Sequence, residues 1–229
     1  MLRVTLALWS LLFATPAWAQ VSGSAALVSD YRFRGVSLSD ENPAAQLSIA
    51  YDHSSGWYAG AFTSTVELAD QARRNLQTLA YVGYARRSRP GLNWEVGASY
   101  SAFSGAGGYD YPEVYCGIAW DKLSGRIYYA PDYFGQGSRV LYAELNGALA
   151  LRDRLHLIGH VGALQASNRS AASVGSSRYR FDIRAGVGID LEKVSIQLTW
   201  AASNAANTLY PVNDSRDRNG FVLSLSRSF

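Results

Sequence analysis

The sequence predicts a single antiparallel up-and-down β-barrel that spans a membrane with about twelve strands, behind an N-terminal signal peptide over residues 1–19. Three observations carry this expectation. Apolar and polar residues alternate with period two along twelve segments, the connectors between them alternate short and long, and aromatic side chains collect at both ends of the apolar rows.

The N-terminus sets the compartment. Arg3 precedes the apolar run Val4 to Phe13, and Ala17-Trp18-Ala19 forms a small-x-small site, so cleavage is expected after Ala19, leaving 20–229 as one domain. The run is shorter than the roughly 20 apolar residues of a spanning helix, so any membrane role falls to strands. Lysine plus arginine number 21 against 18 acids, the arginines are scattered, and Lys122 and Lys193 are the only lysines. Such scatter excludes a nucleic-acid patch, which clusters basic residues on one face. Cys116 is alone, which excludes an intramolecular disulfide. The mean hydropathy of −0.08 is what an alternating wall averages to.

The twelve segments run 21–33, 44–52, 57–65, 75–86, 92–103, 111–120, 125–131, 139–151, 155–164, 178–191, 194–203 and 219–229. Pro131 ends the seventh early. Their short connectors are His53-Ser54-Ser55-Gly56, Arg87 to Gly91, Asp121 to Ser124, Arg152-Asp153-Arg154 and Glu192-Lys193, all of turn-forming chemistry. The others, 34–43, 66–74, 104–110, 132–138, 165–177 and 204–218, are generally longer. Strict alternation of turn and loop fits short periplasmic turns and longer extracellular loops.

The faces agree with a wall. Segment 178–191 sets Tyr179, Phe181, Ile183, Ala185, Val187, Ile189 and Leu191 against Arg178, Arg180, Asp182, Arg184 and Asp190. Segment 139–151 sets Leu141, Leu145 and Leu149 against Tyr142, Glu144 and Asn146. Period alone fits a soluble barrel equally well. The aromatics favour lipid: one end carries Tyr51, Trp57, Tyr84, Trp94, Trp120 and Phe229, the other Tyr31, Phe33, Tyr100, Tyr179, Phe181, Trp200 and Phe221. The closing strand, Asn219 to Phe229, is expected to pair back onto the first, and its terminal Phe229 to engage the barrel assembly machinery. Arg227 breaks the apolar row near the interface, where it can snorkel.

Ser29-Asp-Tyr-Arg-Phe-Arg-Gly35, the later Pro43 and the Ser55-Gly-Trp-Tyr-Ala-Gly60 turn and strand resemble the TorF family of porins, proteobacterial outer-membrane barrels. Weaker echoes follow at 111–120, 127–135 and 141–146. The resemblance implies a barrel and a pore without a specified substrate. Loop residues Ser37-Leu-Ser-Asp-Glu41 depart from relatives richer in Gln or Lys, so no loop specificity transfers.

If the apolar rows face lipid, the other rows line the interior. Asp30, Arg32, Arg34, Glu95, Glu113, Glu144, His160, Arg178, Arg180, Asp182 and Arg184 are the expected lumen-lining residues, with Asp52, His156 and Asp190 beside them. Two outcomes are open: a narrow polar pore for small hydrophilic solutes, with an anion preference from the arginines at 32, 34, 178, 180 and 184, or a barrel closed by an ion-pair network. His156 and His160 stand roughly 13 Å apart along a strand, too far to share one zinc. Asp214 and Asp217 lack the rest of a calcium ligand set. No nucleophile and base fall together, so a hydrolase is the least favoured reading, and Cys116 reads as a small apolar residue on the lipid side. No cofactor is expected; the expected partners are outer-membrane lipid and lipopolysaccharide, with no nucleic acid.

Overall fold

The structure is a computed structural model describing residues 20–68, 74–89, 91–105, 108–167, 179–204, 209–212 and 218–229. The signal peptide, Arg178, Asp214 and Asp217 lie outside these. Alternating sequence forms alternating strands: β1 (Gln20–Val28), then β4 (Ala44–Asp52), β5 (Trp57–Val66), β6 (Asn75–Arg89), β7 (Leu92–Phe103) and β8 (Tyr111–Trp120). They continue as β9 (Leu123–Ala130), β10 (Val140–Ala150), β11 (Leu155–Ala166), β12 (Tyr179–Leu191), β13 (Val194–Ser203) and β14 (Asn219–Ser228). Each pairs antiparallel with its neighbour in the chain, and β14 pairs with β1 from Ser24↔Ser228 to Val28↔Ser224, so the twelve close into a barrel. Closure leaves no unpaired edge.

The faces are inverted relative to a soluble protein. Along β12 the exposed row is Tyr179, Phe181, Ile183, Val187 and Ile189, and the covered row holds Arg180, Asp182 and Gly188. The same holds on β13, where Ile196, Leu198 and Trp200 are exposed while Ser195, Gln197 and Thr199 are buried. Cys116 is exposed on the outer row. A continuous apolar exterior around a polar-lined bore is a wall built for hydrocarbon. Trp57, Trp120 and Phe229 are exposed at the short-turn end, where Tyr84 lies 5.6 Å from Trp57 and 5.9 Å from Trp94. At the long-loop end Tyr100, Tyr179, Phe181, Trp200 and Phe221 face out.

The largest departure from expectation is the first segment. It leaves the wall at Val28, five residues before the predicted end at 33, and the chain folds inward as a small hairpin of β2 (Arg32–Phe33) and β3 (Val36–Ser37). Its two-residue turn is Arg34-Gly35, with φ of +50° and +78°. Positive φ at both central residues is the turn geometry that matches strand twist, and Gly at the second position meets it without strain. Tyr31 and Phe33 therefore leave the outer girdle: Tyr31 is buried inside and Phe33 packs against the interior cluster. The seventh wall strand starts at Leu123 rather than 125 and stops before Pro131.

Candidate functional site

Two distinct regions occupy the bore. At the long-loop end several connectors turn inward and build an apolar core inside the barrel, with Leu68 of the β5–β6 connector part of it. The first brings Tyr31, Val36 and Leu38, the β9–β10 connector brings Tyr133 and Phe134 on a short 3₁₀ turn, and the last loop brings Leu209 and Tyr210. They pack on inward-facing wall residues, among them Phe62, Phe103, Tyr111 and Tyr142. Leu38, Tyr133, Phe134 and Tyr111 are each 0 % exposed, packed against one another across the bore. Tyr111 lies 4.9 Å from both Tyr133 and Phe134. Burial above all pushes the Tyr133 and Tyr210 phenols up, against the pull of Arg34 on Tyr133 and of Arg180 ahead of Arg34 on Tyr210, and Tyr133 donates to the Tyr210 hydroxyl at 3.1 Å.

Arg34 sits at the centre of this plug. Its guanidinium lies 4.4 Å from the Tyr142 ring centroid and about as close to the rings of Phe33, Tyr128 and Tyr133. Its Nη2 donates to Glu113 on β8 at 2.9 Å. On the opposite wall, a Cβ on Gly35 would stand 2.6 Å from Asp182 and 2.8 Å from Ser203, so only glycine allows the hairpin tip this close. The hairpin therefore spans the bore from β12–β13 to β8. Its own shape is set by Asp30, which accepts from Arg32 Nε and from Ser37 Oγ, both at 2.6 Å.

Beneath the plug the bore is polar and aromatic. Tyr58 donates to Glu95 at 2.6 Å and meets the Tyr115 hydroxyl at 2.9 Å, and Arg126 Nε pairs with the other Glu95 oxygen. The Glu95 and Arg126 side chains keep 12 % and 18 % of their exposure, against 3 % and 5 % for Glu113 and Arg34. The tyrosines lie along the wall rather than across it. A Cβ on Gly83 would come within 2.4 Å of Tyr58, one on Gly97 within 2.4 Å of Tyr115, and one on Gly60 within 2.3 Å of Tyr81. Glycines opposite large rings leave the lumen space that those rings would otherwise occupy.

A third cluster joins the two. His160 places Nε2 2.8 Å from Asp182 and Nδ1 against Asn146, with the Tyr142 hydroxyl donating to Asp182 at 3.2 Å. His156 is held separately, its Nδ1 3.4 Å from Asp190. The two histidines thus serve different carboxylates.

Of the residues expected on the lumen, Glu95, Glu113, Glu144, His160, Arg180, Asp182 and Arg184 stand on the inner rows of wall strands. Asp30, Arg32 and Arg34 are inside but belong to the hairpin, not the wall. The interior filling combines ion pairs, Arg32–Asp30, Arg34–Glu113 and Arg126–Glu95 among them, with aromatic packing. Tyr111, Tyr133, Phe134 and Tyr210 were missed. The signal for Tyr133, Phe134 and Tyr210 was bulky aromatics inside connectors that should be polar, whereas Tyr111 opens strand β8 on its inner row.

A family model described as "Bacterial protein of unknown function (Gcw_chp)" matches residues 14–229. No curated protein matches the chain. Among solved structures, the chain is similar to the KdgM porin with a TM-score of 0.57 and 10% identity, over 91% of this chain and 99% of that one. It is similar to the NanC porin with a TM-score of 0.57 and 12% identity, over 92% and 99% of the two chains. The COG4313 outer membrane channel from Pseudomonas putida F1 gives a TM-score of 0.50 at 12% identity, over 94% and 97%. At such identities these likenesses speak for the fold, a twelve-stranded barrel of the outer-membrane porin type.

Proposed function

We propose that this chain, which belongs to the Gcw_chp family of bacterial proteins of unknown function, is a bacterial outer-membrane channel of narrow bore for small hydrophilic solutes. The observation that carries the reading is the inverted wall: exposed Leu, Ile, Val and Phe outside, with Glu95, Arg126 and their tyrosines keeping water-accessible surface inside. A barrel of this kind offers a polar path across hydrocarbon, and its narrowest point governs passage. Here that point is the plug centred on Arg34. The resemblance to TorF porins at Ser29 to Gly35 falls on the plug hairpin itself, so it supports a shared device rather than a shared substrate.

The chain is exported with cleavage after Ala19, the short turns face the periplasm and the long loops face outward, with Phe229 recognised during assembly. Lipopolysaccharide surrounds the long-loop end. An anion preference rests on the interior arginines, Arg180 and Arg184 of the inner β12 row among them. A second reading is favoured by the sealed contacts of Leu38, Tyr111, Tyr133 and Phe134: a barrel permanently closed at its outer end, acting through its surface. Liposome swelling separates the two. Purified protein in liposomes should admit small sugars slowly, and a complete absence of swelling would support the closed barrel.

A further inference from the structure

The short-turn rim carries a charge pattern that solute passage does not use. Arg86, Arg87 and Lys122 are exposed at the turns after β6 and β8, and Arg152, Arg154, Lys193 and Arg227 are exposed around the rest of the rim. Among the described residues the exposed acidic side chains there are Asp121, Asp153 and Glu192, so seven basic side chains face three acidic ones. Among the described residues no salt bridge joins any of them.

Two of these arginines are not on turn tips. Arg86 continues the outward row of Val82 and Tyr84 on β6 and lies opposite Trp94 on β7. Arg227 continues the outward row of Leu223 and Leu225 on β14, two residues before Phe229, and lies opposite Val194. Each cation therefore sits at the lower edge of the apolar wall. Around Arg86 this edge is aromatic: Trp57, Tyr84 and Trp94 make a contiguous run of edge-on and tilted ring contacts, and Trp120 covers the Gly91 turn, 3.2 Å from the position a Cβ would take there. Tryptophan and tyrosine mark headgroup depth, and an arginine beside them reaches the phosphates. A soluble acidic partner would meet the turn tips, whereas a lipid meets the edge of the wall.

We infer that this rim is a collar for anionic phospholipid headgroups of the periplasmic leaflet, with its most defined seat formed by Arg86 between Tyr84 and Trp94. The inference rests on the membrane-barrel reading and its orientation. Basic groups at a membrane surface each favour an anionic lipid, so several act together. The collar would hold the barrel at a fixed depth, with Arg227 doing the same across the closing seam.

The test offers the folded mature chain equal amounts of phosphatidylglycerol and phosphatidylethanolamine in detergent and counts retained lipid by native mass spectrometry. The wild type should retain phosphatidylglycerol in excess, and Arg86→Gln/Lys122→Gln/Arg227→Gln should reduce that excess about tenfold or more. Folding of the variant is checked by its heat-dependent shift in electrophoresis; Arg86→Gln alone, with a smaller loss, serves if the triple variant does not fold. Equal retention of both lipids, or retention unchanged by the substitutions, would overturn the collar. So would displacement of the lipid by an equal concentration of inorganic phosphate, or preferential capture of peptidoglycan fragments. Failure to insert into liposomes at all would instead contradict the membrane reading.

Discussion

Arg34 Nη2 lies 2.9 Å from both carboxylate oxygens of Glu113, joining an infolded hairpin to the opposite wall of the barrel. Both side chains are buried, so neither charge has water to fall back on. Removing one partner of such a pair costs about 3–5 kcal/mol, because the other is left uncompensated. Arg34→Ala and Glu113→Ala should each lower the unfolding midpoint of the detergent-solubilised barrel, and the double variant should lose less than the sum of the two. Additive losses would mean that the pair does not hold the plug.

Tyr58 lies flat over Gly83, which is its direct cross-strand partner. Gly83→Ala places a methyl 2.4 Å from that ring and should destabilise the barrel by about 1–3 kcal/mol as an overpacked site. In a Tyr58→Ala background the Gly83→Ala step should cost clearly less than in the wild type, because the ring that the methyl meets is gone while the Val96 carbonyl contact remains. Chemical denaturation in detergent measures both. A Gly83→Ala variant as stable as the wild type would show that the ring moves freely.

Gly23 and Phe229 exchange both backbone hydrogen bonds, at 3.1 and 3.2 Å, and a Cβ on Gly23 would meet the Phe229 ring at 2.5 Å. Phe229 is therefore part of the closing seam. Deleting Phe229 should sharply reduce surface levels, while Arg227→Leu leaves them near normal, since an interfacial Arg costs only about 0–1 kcal/mol. Gly23→Val should fall between the two. Equal surface levels for the Phe229 deletion and Arg227→Leu would contradict this role.

Leu198 is exposed mid-wall on β13, between Val187 and Leu223 of its neighbours. An arginine there should cost about 2–4 kcal/mol in a bilayer. The matched inward substitution Thr199→Arg should cost less in insertion and should alter conductance instead. Insertion measured by protection from urea in liposomes checks this; a mid-wall Arg without penalty would mean that the exterior does not face lipid.

The wall was legible because each strand repeats one signal, a period of two, and each turn repeats another. Twelve weak copies reinforce one another, and the strand ends at Ala44, Leu92, Tyr111 and Val194 fall at the predicted positions. The plug was not, because it follows a different rule. Tyr31 and Phe33 keep the outward parity of β1, and nothing in a two-residue period announces that the strand has ended. The available cue was Arg34-Gly35, an X-Gly pair between Phe33 and Val36 that is able to make a tight hairpin turn. Tyr133 and Tyr210 meet across 77 positions of sequence, a contact that only the closed barrel brings about. The lumen residues of the wall were readable from parity; their partners were not, since Arg126–Glu95 and His160–Asp182 depend on strand register.

Planar-bilayer conductance tests the channel most directly. Wild-type protein should give small, discrete conductance steps, and Arg34→Ala/Glu113→Ala, which loosens the plug without leaving a buried charge, should give larger ones. A wild type and a double variant that both insert and both fail to conduct would contradict the channel and leave a closed barrel in its place.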